Sequence, residues 1–406
     1  MPHDRMERIL LADLATLETD GRLKGAESVI AGVVPPKDGC GPRYLIAGEG
    51  DRPFLRMNAN NYLGLAGHAD VVAAEEAGVR RFGVGPGAVR FISGTWAPHL
   101  ELERALAAFH GREDAMIFSA AYAAVMGLLP PLVTAETAVI SDALNHNSII
   151  NAVRLARPKE RAIYRHLDLG DLDARLAEAR RSCRRAIVVT DGVFSMRGDH
   201  APLADIMAIA RRFDPDFAEN VLVVVDDSHG VGAFGAMGRG TEEKTGARAD
   251  ILIGTLGKAF GVNGGYVAAS RAVTAYLRET SPFYVYSNPI SPGEASAAAR
   301  AVALVDSPAG QDRLRHLGVM AQRFRDGLAR LSLESIAGDH PIVPVMVRDT
   351  ARTAALVAHL RREGVLATGL NFPVVPKGDE EIRFQICADH TPRDIDAALA
   401  SLAAFG

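Results

Sequence analysis

Residues 251–266 read "ILIGTLGKAFGVNGGY", and this stretch decides both the fold class and the chemistry of the chain. Ile251, Leu252 and Ile253 form a short apolar run of the kind that becomes a buried strand. Directly after it stands Lys258, among Gly257, Gly261, Gly264 and Gly265. Glycine permits a tight turn and close approach of a planar ligand to the backbone. A single long cation is thus left accessible at a strand end. On this stretch alone three roles fit: a structural lysine, a point charge for a phosphate, or an amine that forms an imine with a carbonyl group.

Working outward, similar short apolar runs recur at 115–118, 138–140, 186–189, 221–225 and 266–269, each bounded by polar residues or glycine. Between and around them, stretches near 98–110, 121–129, 147–156, 171–182 and 203–213 carry apolar residues three and four apart, the spacing of a helix face. The alternation predicts an α/β domain with a mostly parallel sheet covered on both faces. Sites in such sheets gather at the carboxyl ends of the strands. The first 50 or so residues start helical and continue into a Pro/Gly-rich passage. Beyond about 290 the pattern is a long helix, a strand in "HPIVPVMV", a helix near 351–363, a strand in "EEIRFQIC" and a final helix, which predicts a smaller α+β domain. The expected division is an N-terminal helix and arm at 1–55, a large domain at 56–290 and a small domain at 291–406.

The totals narrow the function. A 406-residue chain with 48% hydrophobic and 23% charged residues has ample core, and a net charge of −4 with pI near 6.3 gives no basic footprint for nucleic acid. The three cysteines, Cys40, Cys183 and Cys387, suggest neither a disulfide framework nor a metal site. No targeting segment and no apolar run of ~18 residues stand out, so a cytoplasmic protein with small-molecule partners and no membrane association is expected.

Other strand ends carry the remaining candidates. "VLVVVDDSHGVG" places Asp226 directly after an apolar run and His229 three residues on. A buried acid needs a partner: the protonated ring nitrogen of pyridoxal phosphate, a Mg²⁺ ion, or a turn capped with Asp227 and Ser228. "SDALNHNSII" adds His146, either a structural histidine or a flat ring that stacks on a cofactor. "FSAAYAAVMG" puts Ala121 and Tyr122 at a helix start, where free backbone N–H groups receive phosphate, with Thr255 as an added hydroxyl. Arg383, taken alone, reads as a strand residue at a sheet edge. "GVGPG" and "GVGAFG" do not make the GxGxxG turn of a dinucleotide-binding dehydrogenase.

Taken in order, "SDALNHNS", "TDGVFSMRGD", "VDDSHGVG" and "TLGKAFG" resemble the α-oxoamine synthase family of fold-type I pyridoxal 5'-phosphate (PLP) enzymes, a likeness extending from "NNYLGLA" at 60 to "IRFQICADH" at 382. The resemblance implies a large PLP-binding domain with a mostly parallel seven-stranded sheet, and a Claisen-type condensation of an amino acid with an acyl-CoA. It implies Lys258 as the imine-forming lysine, Asp226 at the pyridine nitrogen, His146 on the ring, His229 and Ser195 near the phenolic oxygen, and Ala121, Tyr122 and Thr255 at the phosphate. Asn60 and Arg383 fall on the substrate side, and the active site lies at a homodimer interface to which the other subunit lends residues matching Ser287 and Asn288. No metal is implied.

Within the family, "GAVRFISGT", "SDALNHNSII", "TDGVFSM" and "VDDSHGVG" are most similar to the branch that joins glycine to acetyl-CoA. Branches of the 8-amino-7-oxononanoate or 5-aminolevulinate synthase type, a carrier-protein thioester as donor, and a non-catalytic paralogue serving as a partner subunit are the competing readings. Trp96, Ala121 and the pair Val262-Asn263 depart from the usual residues, and Trp96 and Val262-Asn263 are the expected places for altered substrate choice.

Overall fold

The computed structural model describes residues 3–20, 22–23, 26–372 and 374–405. Its centre is a seven-stranded sheet ordered, edge to edge, Asp114–Phe118, Gly265–Ala269, Ile251–Thr255, Val221–Asp226, Arg185–Asp191, Thr137–Asp142 and Glu160–Tyr164. Gly265–Ala269 runs antiparallel to both its neighbours and the other strands are parallel. Along Arg185–Asp191, Ala186 and Val188 enter one apolar cluster while Ile187 and Val189 enter a second on the opposite face. Covering both faces is why these strands read as continuous apolar runs.

The edge strand Glu160–Tyr164 has no counterpart among the apolar runs. Glu160, Arg161 and Ile163 keep contact with solvent and only Tyr164 is buried, so its exposure alternates where the inner strands are buried throughout. The covering helices Ala97–Phe109, Ala121–Leu132, Asn147–Ala156, Leu169–Ala179 and Leu203–Phe213 fall on the five helical stretches expected.

Past residue 290 the structure corrects the sequence reading. The single long helix is two, Pro292–Val305 and Pro308–Arg330. Ser307 caps the second by accepting the Gly310 N–H (3.3 Å), and Pro308 sits in its first turn, where its missing N–H costs nothing. Next comes a three-stranded antiparallel sheet ordered Ile342–Met346, Glu381–Gln385, Thr368–Leu370. The N-terminal passage forms strands Ile30–Val34, Arg43–Ile46 and Pro53–Arg56, and Val365–Leu366 joins the last in parallel. The arm and the C-terminal segment therefore share a sheet. Helix Asp4–Thr19 buries no residue, and no described helix is long and apolar enough to cross a membrane.

The glycines around Lys258 do different work from that first expected. Gly261 has φ +72°, and a Cβ there would lie 2.3 Å from the Ala66 backbone nitrogen. At Gly265 a Cβ would meet the Ala121 nitrogen at 2.2 Å. Both let backbone pack on backbone, fixing the lysine turn against the Leu65–Gly67 turn and against the start of the Ala121–Leu132 helix.

Candidate active site

A single pocket at the carboxyl ends of the strands collects Ala121, Tyr122, His146, Ser195, Asp226, His229 and Lys258, together with Ser148, Asp191, Val193 and Ser228. The first seven are residues singled out in the sequence. Of the last four, Ser228 was named only as part of a capped turn, and Ser148, Asp191 and Val193 were given no role, although Asp191 lies in the quoted "TDGVFSM" and ends the strand beside Asp226.

Lys258 enters from the turn after Ile251–Thr255. That turn is closed by Leu256 N–H to the Gly264 carbonyl (2.9 Å) and Val262 N–H to the Leu256 carbonyl (2.9 Å). Val262 is buried in the main core, which removes it from the specificity role expected of it. Trp96 also lies away from the pocket: its indole donates to the Pro86 carbonyl (3.3 Å) and packs edge-on against Phe82, holding the 83–89 loop. Burial pulls the half-buried Lys258 amine down to about 8, opposed chiefly by the Asp226 carboxylate. Near neutral pH a useful fraction of this amine is free to act as nucleophile or base.

The two adjacent aspartates divide their labour. Asp226 lines the pocket, and its Oδ1 accepts the Ser228 N–H at 3.2 Å. Asp227 points away, accepting the Thr241 N–H and hydroxyl, both at 2.6 Å. Cβ atoms at Gly192, Gly230 and Gly240 would fall 2.2, 2.1 and 1.9 Å from its carboxylate, so these positions must be glycine for Asp227 to fit. Burial pushes Asp227 up to about 8 against those donors. Asp227→Ala strands the Thr241 groups and is expected to cost about 3 kcal/mol in urea unfolding; a loss under about 1 kcal/mol contradicts the assignment.

His146 precedes helix Asn147–Ala156 and stands exposed at the pocket rim. Its Nδ1 contacts the Ser148 hydroxyl (2.8 Å) and accepts the Ser148 N–H (3.2 Å), which leaves the proton on Nε2. Desolvation lowers its pKa, as does Lys258, while Asp226 raises it. His229 is buried, with Nδ1 2.7 Å from the Tyr62 hydroxyl. Burial, reinforced by Lys258, His340 and Arg383, holds its imidazole well below the ordinary value, so it is neutral at pH 7.

Arg383 occupies the central strand of its sheet, between Pro344 and Thr368, so the edge placement suggested by sequence is wrong. Its Nη1 donates to the Ser195 carbonyl (2.8 Å), bridging the small sheet to the pocket wall. Gln385, with its amide oxygen turned toward the guanidinium, accepts from Nε (2.6 Å) and Nη2 (2.5 Å). Asn60 is half-buried, 3.3 Å from the Tyr62 hydroxyl. The Thr255 hydroxyl donates to the Gly264 carbonyl (3.2 Å) and accepts the Gly257 N–H (3.2 Å), closing its own turn outside the pocket lining. Ser287 and Asn288 follow the short helix Pro282–Val285 and do not line this pocket. Tyr62 and His340, which fix the His229 ring and carbonyl, were not anticipated from sequence.

An amine of lowered pKa, a carboxylate beside it, an uncapped helix start at Ala121 and two neutral imidazoles form a site for carbonyl and carbanion chemistry. The aminotransferase class I and II family pattern matches residues 52–402, nearly the whole chain. The chain belongs to that family. Within it, the relatives are α-oxoamine synthases. The chain is 43% identical over 356 residues, 87% of each chain, to 2-amino-3-ketobutyrate coenzyme A ligase of Escherichia coli K12. It is 39% identical to 8-amino-7-oxononanoate synthase of Thermosipho melanesiensis, over 87% of this chain and 89% of that one. Among solved structures, a serine palmitoyltransferase from Sphingomonas wittichii superimposes with a TM-score of 0.88 at 28% identity, covering 100% and 98% of the two chains. One from S. paucimobilis, solved with bound PLP and myriocin, gives 0.86 at 28% identity over 98% and 96%.

Proposed function

We propose that this chain is a PLP-dependent acyltransferase that condenses glycine with acetyl-CoA, a glycine C-acetyltransferase activity giving 2-amino-3-ketobutyrate and free CoA. The observation that carries the reading is the convergence of the Lys258 amine and the Asp226 carboxylate on one pocket, from the ends of neighbouring parallel strands. The residues present fit PLP. Lys258 offers the amine, Asp226 keeps a carboxylate oxygen for the ring nitrogen, His146 presents a flat ring at the rim, and no side chain caps the helix start at Ala121 and Tyr122.

PLP bound there supplies an aldehyde that captures amines and a ring that takes up the electron pair left by α-proton removal. The chain's own groups do the rest. Arg383, with Asn60 beside it, holds the substrate carboxylate with a bidentate guanidinium. Lys258, as free amine, accepts the α-proton at Nζ. With the cofactor bound, Asp226 would hold the ring nitrogen protonated, and His229 and Ser195 would serve the phenolic oxygen. The Thr255 hydroxyl would join Ala121 and Tyr122 at the phosphate if it exchanged its bond to the Gly264 carbonyl for one to the ligand. The reading includes a cytoplasmic homodimer in which Ser287 and Asn288 of each subunit serve the other's site; their position outside the pocket lining and the exposure of Asn288 support that exchange.

The test is a panel of amino acids and acyl-CoAs, with CoA thiol release and product mass as readouts. Glycine with acetyl-CoA is expected to give the highest kcat/KM. Similarity to 8-amino-7-oxononanoate synthases supports a second reading, a longer acyl donor. Preference for such a donor by tenfold or more (about 1.4 kcal/mol) replaces the acetyl assignment; no thiol release with any pair removes both.

A further inference from the structure

The assigned roles leave one buried acid of the pocket unused, Asp191. It ends the strand Arg185–Asp191 and is the direct register partner of Asp226 on the neighbouring parallel strand. Partners in register project to the same side of a sheet, and both carboxyls line the same pocket. Two carboxylates so close and so buried cannot both carry charge cheaply.

The hydrogen bonds of Asp191 distinguish its two oxygens. Oδ2 accepts the backbone N–H of His146 at 3.1 Å. Oδ1 is buried and has no hydrogen-bond partner. The Asp191 N–H donates to the Asn145 side-chain oxygen (2.8 Å), whose Nδ2 reaches the Val189 carbonyl (2.8 Å) and the Ser141 hydroxyl (2.9 Å). His146 thus sits on a scaffold whose last link is Asp191. The groups acting on the carboxyl are Asp226 and Asp142, which with burial favour its neutral form, and Lys258 and the His146 N–H, which oppose them; burial and Asp226 prevail.

We propose that Asp191 is a positioning residue that works as a neutral carboxylic acid, holding the His146 main chain through Oδ2 and presenting an Oδ1–H donor to an acceptor atom of the bound cofactor. Its carboxyl never needs to ionise. Asp226 is left to serve the ring nitrogen, and an Asp191 oxygen that is orphaned within the protein becomes a donor available to the ligand. This rests on the PLP reading for the identity of the ligand and on the geometry alone for the neutral acid.

The test combines infrared spectroscopy with cofactor binding. At pH 7, with and without PLP, the wild-type minus Asp191→Asn difference spectrum is expected to show the C=O stretch of one buried protonated carboxylic acid, over the acid signals that Asp227 and Glu381 contribute to both proteins. The amide keeps an acceptor and a donor in place, so PLP affinity in Asp191→Asn is expected to stay within about threefold of wild type, while Asp191→Ala loses both bonds and at least about tenfold. Thermal melting of each variant separates these losses from unfolding. Absence of that difference band, or an Asn variant as weak as the Ala variant, overturns the proposal. Failure of wild-type protein to bind PLP instead overturns the cofactor reading, and the band measured without PLP still reports on Asp191.

Discussion

Lys258→Ala is expected to lose visible absorbance when mixed with PLP and to retain no more than about 10⁻⁴ of the wild-type turnover, because one substitution removes both the imine-forming amine and the base that takes the α-proton. Folding is expected to survive. Lys258 is half-buried and its amine gains little from the core, since burial lowers its pKa. The sign of the pH effect follows. With the folded value near 8 and the unfolded value near 10.5, the unfolded chain binds more protons between the two, so the cofactor-free protein gains stability as pH rises through that window. The gain is expected to vanish in Lys258→Ala, as read by urea unfolding at pH 8 and pH 10. A variant that keeps the gain assigns it to another group.

The second large effect concerns the two neighbouring aspartates. Asp226→Asn preserves shape but removes the charge, and is expected to lower turnover by about 10³-fold through loss of electrostatic stabilisation at the ring nitrogen, with the melting temperature little changed. Asp227 substitutions are expected to do the reverse. They release the Thr241 clamp and cost stability, leaving the pocket groups in place. Steady-state kinetics and melting curves on both sets of variants decide the matter. Equal losses of activity without loss of stability at both positions contradict the division of roles drawn from their opposite orientations.

The sheet was legible in the sequence because its inner strands are buried on both faces and show as unbroken apolar runs. Glu160–Tyr164 escaped notice for the complementary reason: an edge strand keeps Glu160 and Arg161 in contact with solvent. The break between the two C-terminal helices was written in Asp306-Ser307-Pro308, a cap followed by a first-turn proline, but the surrounding helical spacing concealed it.

Within the site, residues at strand ends were found because position alone marks them. Asp191 has that position too. Its quoted motif gave no sign that one oxygen is committed to His146 and the other to nothing, which only the packing of two strands and a loop reveals. Trp96 and Val262 show the opposite error. Unusual residues near a motif suggested specificity, yet one holds a loop by its indole and the other fills the core. Arg383 needed the order of a sheet assembled from distant segments before its central placement was visible.

The central claim is that Lys258 is the residue that bonds PLP. Incubating the purified chain with PLP, reducing with borohydride and mapping peptides by mass spectrometry tests it directly. The account predicts one dominant pyridoxyl-phosphate adduct, on the peptide containing Lys258, formed at near-stoichiometric cofactor. Adducts confined to Lys24, Lys37, Lys159, Lys244 or Lys377, with Lys258 unmodified, contradict it.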